Sequence, residues 1–109
     1  DIVKLLHASW VQAMAPLDQR IETVRLRLKL IAGSPEIYGW GQAQMEETRQ
    51  VIERAVSKFS SDTLRPKIVS AALISASMAI LIWWAETGDK RTPSEVLDQG
   101  FKDFEKLFS

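Results

Sequence analysis

Apolar side chains recur along this chain at intervals of three and four, the period of a helix, and the breaks between the runs are made by Pro, Gly, Ser, Thr and Asp. There is no strand-like alternation bounded by turns and no internal repeat, so the expected fold is an all-α antiparallel helical bundle. From Ile2 to about Ala15 the set Ile2, Leu5, Leu6, Trp10, Ala13 and Met14 predicts a short amphipathic helix that Pro16 interrupts. Leu17, Ile21, Val24, Leu28 and Ile31 carry the next helix, with Gly33 as its expected stop. Asp18 and Glu22 near its start and Arg25, Arg27 and Lys29 toward its end suit the helix macrodipole.

Ser34-Pro35-Glu36 supplies an N-cap, a proline at the first helical position and an acid in the first turn. The helix that starts there has the stripe Ile37, Trp40, Met45, Thr48, Val51, Ile52, Ala55, Val56 and Phe59, with Glu46, Arg49 and Glu53 expected on the wet face. Gly39 and Gly41 bracket Trp40 and each lowers helix propensity by about 1 kcal/mol, so bending or breathing is expected there. After Ser60-Ser61-Asp62, Asp62 or Thr63 can cap another helix, and Pro66 is tolerated in its first turn. Gly88-Asp89 then turns the chain. Thr92-Pro93-Ser94-Glu95 forms a capping box ahead of a last helix whose face carries Leu97, Phe101, Phe104 and Phe108.

The helix between Asp62 and Gly88 differs from the rest, because Ile68 to Ala85 contains no charge and is apolar on nearly every face. A membrane span is the first reading to test, since the run reaches the lower limit of spanning length. Ser70, Ser75, Ser77 and four alanines dilute it, and the basic residues Arg65, Lys67, Lys90 and Arg91 flank both ends without setting an orientation, so no membrane contact is expected. Two soluble readings are left. The helix is either enclosed by its own domain, or covered on one side by that domain and on the other by a second copy. Small residues at Ala72, Ala76 and Ala79, beside Ala71 and Ser75, permit close helix approach, and two consecutive over-apolar elements favour the second copy.

Composition narrows the function. A chain of 109 residues corresponds to one domain, read here as residues 1–109, and its 46% hydrophobic and 26% charged content suits a folded protein. Lys+Arg and Asp+Glu are both 14, so the chain as a whole lacks the long-range attraction of a nucleic-acid binder. The absence of cysteine removes thiolate chemistry and fits a cytoplasmic setting. The opening Asp1-Ile2-Val3-Lys4, without an initiator Met or a signal-peptide pattern, reads as an excised fragment.

No catalytic or metal constellation can be assembled. His7 is the only histidine and reads as a surface or boundary residue. Glu46 and Glu47 lie about 100° apart on a helix and read as solvated. The Arg25, Arg27, Lys29 group alternates with leucines and has no phosphate-cradling glycine motif, which makes a helix-end charge effect the better account. No metal, no cofactor and no enzyme activity are expected. Four tryptophans, Trp10, Trp40, Trp83 and Trp84, can serve as core or line a ligand cavity, and the adjacent pair cannot point the same way.

The order of these elements resembles a known family. The segment Arg25-Leu26-Arg27-Leu28-Lys29-Leu30-Ile31-Ala32-Gly33-Ser34-Pro35-Glu36-Ile37, followed by a long helix rich in Gln, Glu and Arg, is similar to the middle of TetR-family C-terminal domains. Leu64-Arg65-Pro66-Lys67, opening an Ala-rich helix that ends Ile82-Trp83-Trp84-Ala85-Glu86-Thr87-Gly88, resembles the penultimate helix of that family. The family's diagnostic helix-turn-helix is not found here. What the resemblance implies is a domain that binds a small, apolar effector and dimerises through its last two helices. It would contact operator DNA only through an N-terminal half.

Among helices that the family uses for its pocket, the first, third and fourth, the candidate lining is Trp10, Met14, Trp40, Met45, Ser75 and Met78. The candidate dimer seam, chosen on spacing as well as resemblance, is Ala72, Ala76, Ala79, Trp83, Phe101, Phe104 and Phe108. The competing reading is a helical protein–protein interaction module, with no small-molecule ligand, whose groove accepts a partner's helix.

Overall fold

A computed structural model of the chain describes residues 2–107, with side chains from 4 to 106, so Phe108 lies outside the described residues. Five α-helices follow one another: α1 (Ile2–Met14), α2 (Ile21–Gly33), α3 (Pro35–Ser57), α4 (Leu64–Thr87) and α5 (Pro93–Leu107). A 3-10 segment, Ala15–Arg20, joins α1 to α2, and there is no strand among the described residues. The expectation of an all-α bundle is met.

Local chemistry sets most of the helix ends. The Ser34 hydroxyl accepts from the Ile37 N–H at 3.4 Å, with Pro35 at the first position of α3. Asp62 accepts from the Arg65 N–H at 2.7 Å at the start of α4. At α5 the capping box closes in both directions, Thr92 N–H to Glu95 at 3.1 Å and Glu95 N–H to Thr92 Oγ1 at 3.3 Å. Gly88 terminates α4 in the left-handed region, φ 69°, which glycine adopts at least cost.

Two expectations need correction. The second helix does not begin at Leu17: Pro16 tightens the chain into 3-10 geometry, and α-helical bonding restarts at Ile21. Gly33 is the last residue of α2 rather than a left-handed stop. The helix ends because Ser34, placed before Pro35, is forced into an extended conformation at φ −130°, ψ 113°. Helix α3 runs without interruption from Pro35 to Ser57, through both glycines beside Trp40.

Helix α4 is the axis of the fold, packing against α2, α3 and α5, while α1 lies against α5. Helix α5 approaches α4 closely at Gly100, where a Cβ would sit 2.5 Å from Ile80 Cδ1 and 2.8 Å from Cγ1. Two apolar clusters result. The larger is built on Leu28, Leu81, Trp84, Val96, Leu97 and Phe101, and the smaller on Ile52, Val56 and Ile74. Among the described residues α4 is the one helix whose length and composition would allow it to cross a membrane, a test that a soluble core helix also passes.

Candidate functional site

The two clusters meet at Trp10 and Leu73, which pack against both. Trp10 reaches that place because it stands on the inner stripe of α1, and its polar edge needs a partner once covered. Ser77 on α4 provides it: Trp10 Nε1 donates to Ser77 Oγ at 2.7 Å, and Ser77 Oγ donates to Leu73 O at 2.6 Å.

Four of the six predicted lining residues pack against one or both of these clusters. Met14 and Met78 are half-buried against the larger cluster, Met45 against the smaller, and Trp10 against both. Trp40 and Ser75 are elsewhere: Trp40 is 68% exposed near the start of α3, and Ser75 lies on the open face of α4. A depression of about 540 Å³, open to solvent and lined by Asp18, Arg20, Ile21 and their neighbours, contains none of the six.

The predicted seam residues fall into two groups. Ala79 and Trp83 are exposed and Ala72, Ala76 and Phe104 half-buried, so α4 keeps an uncovered apolar face. Phe101, in contrast, is turned into the chain's own core at 4% exposure, with its ring 5.4 Å from the His7 ring. The adjacent tryptophans separate as their 100° offset demands: Trp83 is 49% exposed and Trp84 fully buried.

Charged side chains that read as surface features act as clamps between elements. Arg25 reaches the C-terminal end of α4, donating to Trp84 O at 2.8 Å and Asp89 O at 2.7 Å while its guanidinium lies 4.0 Å over the Trp84 ring. It therefore complements the dipole of α4 rather than that of its own helix. Arg49 pairs with Glu46 at 2.7 Å and Glu53 at 2.6 Å, as their spacing predicts, but also donates to Ser70 Oγ on α4 at 3.1 Å. Arg49 and Glu53 face α4, where Glu53 also meets Lys67 at 3.1 Å, while Glu46 stays half exposed and Trp40, Val51 and Phe59 are exposed. His7 has Asp98 and Glu105 of α5 at 2.9 Å from its two ring nitrogens. At the other end of α5, Asp18 accepts from both the N–H and the hydroxyl of Ser94.

A sequence signal for these clamps existed. Arg25 sits four residues after Ile21 and three before Leu28, Arg49 four after Met45 and three before Ile52, and His7 three before Trp10. Each interrupts an apolar stripe, so each faces inward.

The carboxylates in these contacts carry a pH dependence. Hydrogen bonds from Arg49 hold Glu46 and Glu53 below their ordinary range, Lys102 does the same for Asp98, and Arg91 brings Asp89 down to about 2. Because these groups ionise more readily folded than unfolded, their stabilisation is complete above the unfolded values near 4 and disappears as pH falls toward 2. Urea midpoints should thus decline from pH 5 to pH 2, less steeply in high salt, which screens surface pairs. A flat profile would mean that these contacts do not form in solution.

No cluster of His, Cys, Asp or Glu among the described residues could hold a metal ion. What the chain offers is a split core, an uncovered apolar helix face and clamps between them. No curated protein and no solved structure matches the chain. A family model does: that of the MftR C-terminal domain, a TetR-type domain, matches residues 1–109. TetR-family proteins are transcription regulators rather than enzymes, acting as dimers that bind small-molecule effectors and DNA. The chain, from its first residue to its last, belongs to the MftR C-terminal domain family, the regulatory C-terminal half of TetR-type regulators.

Proposed function

We propose that this chain is one effector-sensing and homodimerising domain of a cytoplasmic transcription regulator, and that operator DNA is contacted by an N-terminal half. The observation that carries the sensing half of this reading is Trp10, wedged between two apolar clusters and bonded to α4 through Ser77. A small apolar molecule entering beside Met14, Met45 and Met78 would part the clusters and break the Trp10–Ser77 bond. It would shift α4 against α1 only if it binds the parted state better than the closed one. The dimerising half rests on the exposed, uncharged face of α4, where Ile68, Ala79 and Trp83 face solvent in the single chain.

Sedimentation over a wide concentration range tests the second half. A dimer should persist to low micromolar concentration, and Ala79→Glu, at a position exposed in the single chain, should leave the helix content unchanged and convert it to monomer. A monomer at all concentrations would remove the seam and favour the interaction module. For the sensing half, the dye ANS, an aromatic body with one sulfonate, should raise the melting temperature of the wild type, since a ligand of the folded state alone stabilises it by mass action. Trp10→Ala should abolish that rise.

A further inference from the structure

The exposed face of α4 has an internal symmetry that specifies how a second copy would lie on it. Reading outward from the midpoint between Ser75 and Ala76, equal steps reach Ala72 and Ala79, then Ile68 and Trp83, then Arg65 and Glu86. All eight positions fall within about 100° of the helix circumference. Six are exposed, and Ala72 and Ala76 are half-buried. Such a face is complementary to itself when turned through a two-fold axis perpendicular to the helix. Small side chains then meet at the centre, Ile68 meets Trp83 on either side, and a cation meets an anion at each end.

We infer that two copies of α4 pack antiparallel about the Ser75–Ala76 midpoint, with Arg65 of each chain paired to Glu86 of its partner. This rests on the homodimer reading above and adds its direction and register. The charges support it independently of the apolar pattern. Arg65 uses only its backbone N–H, toward Asp62, and neither its guanidinium nor the Glu86 carboxylate has a partner in the chain among the described residues. Lys67, by comparison, is already engaged by Glu53 at 3.1 Å. A parallel arrangement would set Arg65 against Arg65 and Glu86 against Glu86. Reach adds a constraint. The charged ends lie roughly 16 Å from the axis, so a crossing near 20° displaces them by only about 5–6 Å, whereas a crossing near 50° would separate them by about 13 Å.

Charge reversal in the whole chain tests the register. Arg65→Glu and Glu86→Arg should each raise the dimer dissociation constant about tenfold or more at low salt, because each creates two like-charge contacts per dimer. The double variant Arg65→Glu/Glu86→Arg should return to within about threefold of the wild type, and the two single variants mixed should form a heterodimer in preference to either homodimer. Circular dichroism should match the wild type throughout. If the wild type dimerises but the single reversals have no effect, or the double variant is as weak as their combined losses, the antiparallel register is wrong while dimerisation stands. If the wild type is a monomer, both readings fall together.

Discussion

Trp84→Ala should cost about 3–5 kcal/mol, the usual range for emptying a buried tryptophan site. That is a large part of the roughly 5–15 kcal/mol that holds a domain of this size together. Trp84 is fully buried, and three separate contacts converge on it. Its indole N–H donates to Arg91 O at 2.7 Å, its ring carries the Arg25 guanidinium, and its carbonyl accepts from that same guanidinium. Alanine leaves both a cavity and a carbonyl at Arg91 without its donor. The urea midpoint should fall to the point where the native baseline is short or missing. Trp83→Ala is the matched control, one residue away. With Trp83 half exposed, the single chain should lose less than about 1 kcal/mol, while the dimer proposed above should weaken. Equal losses from the two substitutions, measured under conditions where both are monomeric, would mean that α4 is rotated from the position described.

Arg25→Met is the second large effect, with an expected loss of about 2–5 kcal/mol. The methionine retains the apolar stem but removes two charge-assisted bonds, worth about 1.5–3 kcal/mol in sum after allowing for partial exposure, and a cation–π contact of about 0.5–2 kcal/mol. The carbonyls of Trp84 and Asp89 at the end of α4 would then lose their donor. Arg25→Lys should recover less than half, because a single ammonium cannot span both carbonyls and stack on the ring together. Hydrogen exchange should localise the damage to the α4–α5 turn. A uniform increase across all helices, or full recovery by lysine, would show that the charge alone matters and the planar fork does not.

Much of the molecule was legible in the sequence because its helix termini are governed over three or four residues. Ser34-Pro35, Asp62 and Thr92-Pro93-Ser94-Glu95 place their own hydrogen bonds whatever the rest of the chain does. The absence of charge from Ile68 to Ala85 likewise announces a helix that must be covered, and the structure leaves one face of it open. The Leu17 start failed for a local reason too, since the pattern of apolar spacing survives in a 3-10 turn that Pro16 imposes.

The partners of side chains far apart in sequence were not legible. That Arg25 would grip the end of α4, that His7 would bridge Asp98 and Glu105, and that Arg49 would turn its ion pairs toward Ser70 depend on how each helix is rotated about its axis and where it crosses its neighbour. The broad stripe of α3 shows the same division: periodicity gave its width, but packing against α4 chose Met45, Ile52 and Val56 for the core and left Trp40 and Val51 outside. The sequence by itself determined where most of the helices begin and that α4 carries too little charge to stand uncovered in water, because caps and charge are local or additive properties. Only the tertiary structure decided which tryptophan is buried and which distant carbonyls and hydroxyls the inward-facing basic residues meet, because a turn of 100° per residue makes such pairings a matter of helix rotation and crossing that no short window of sequence contains.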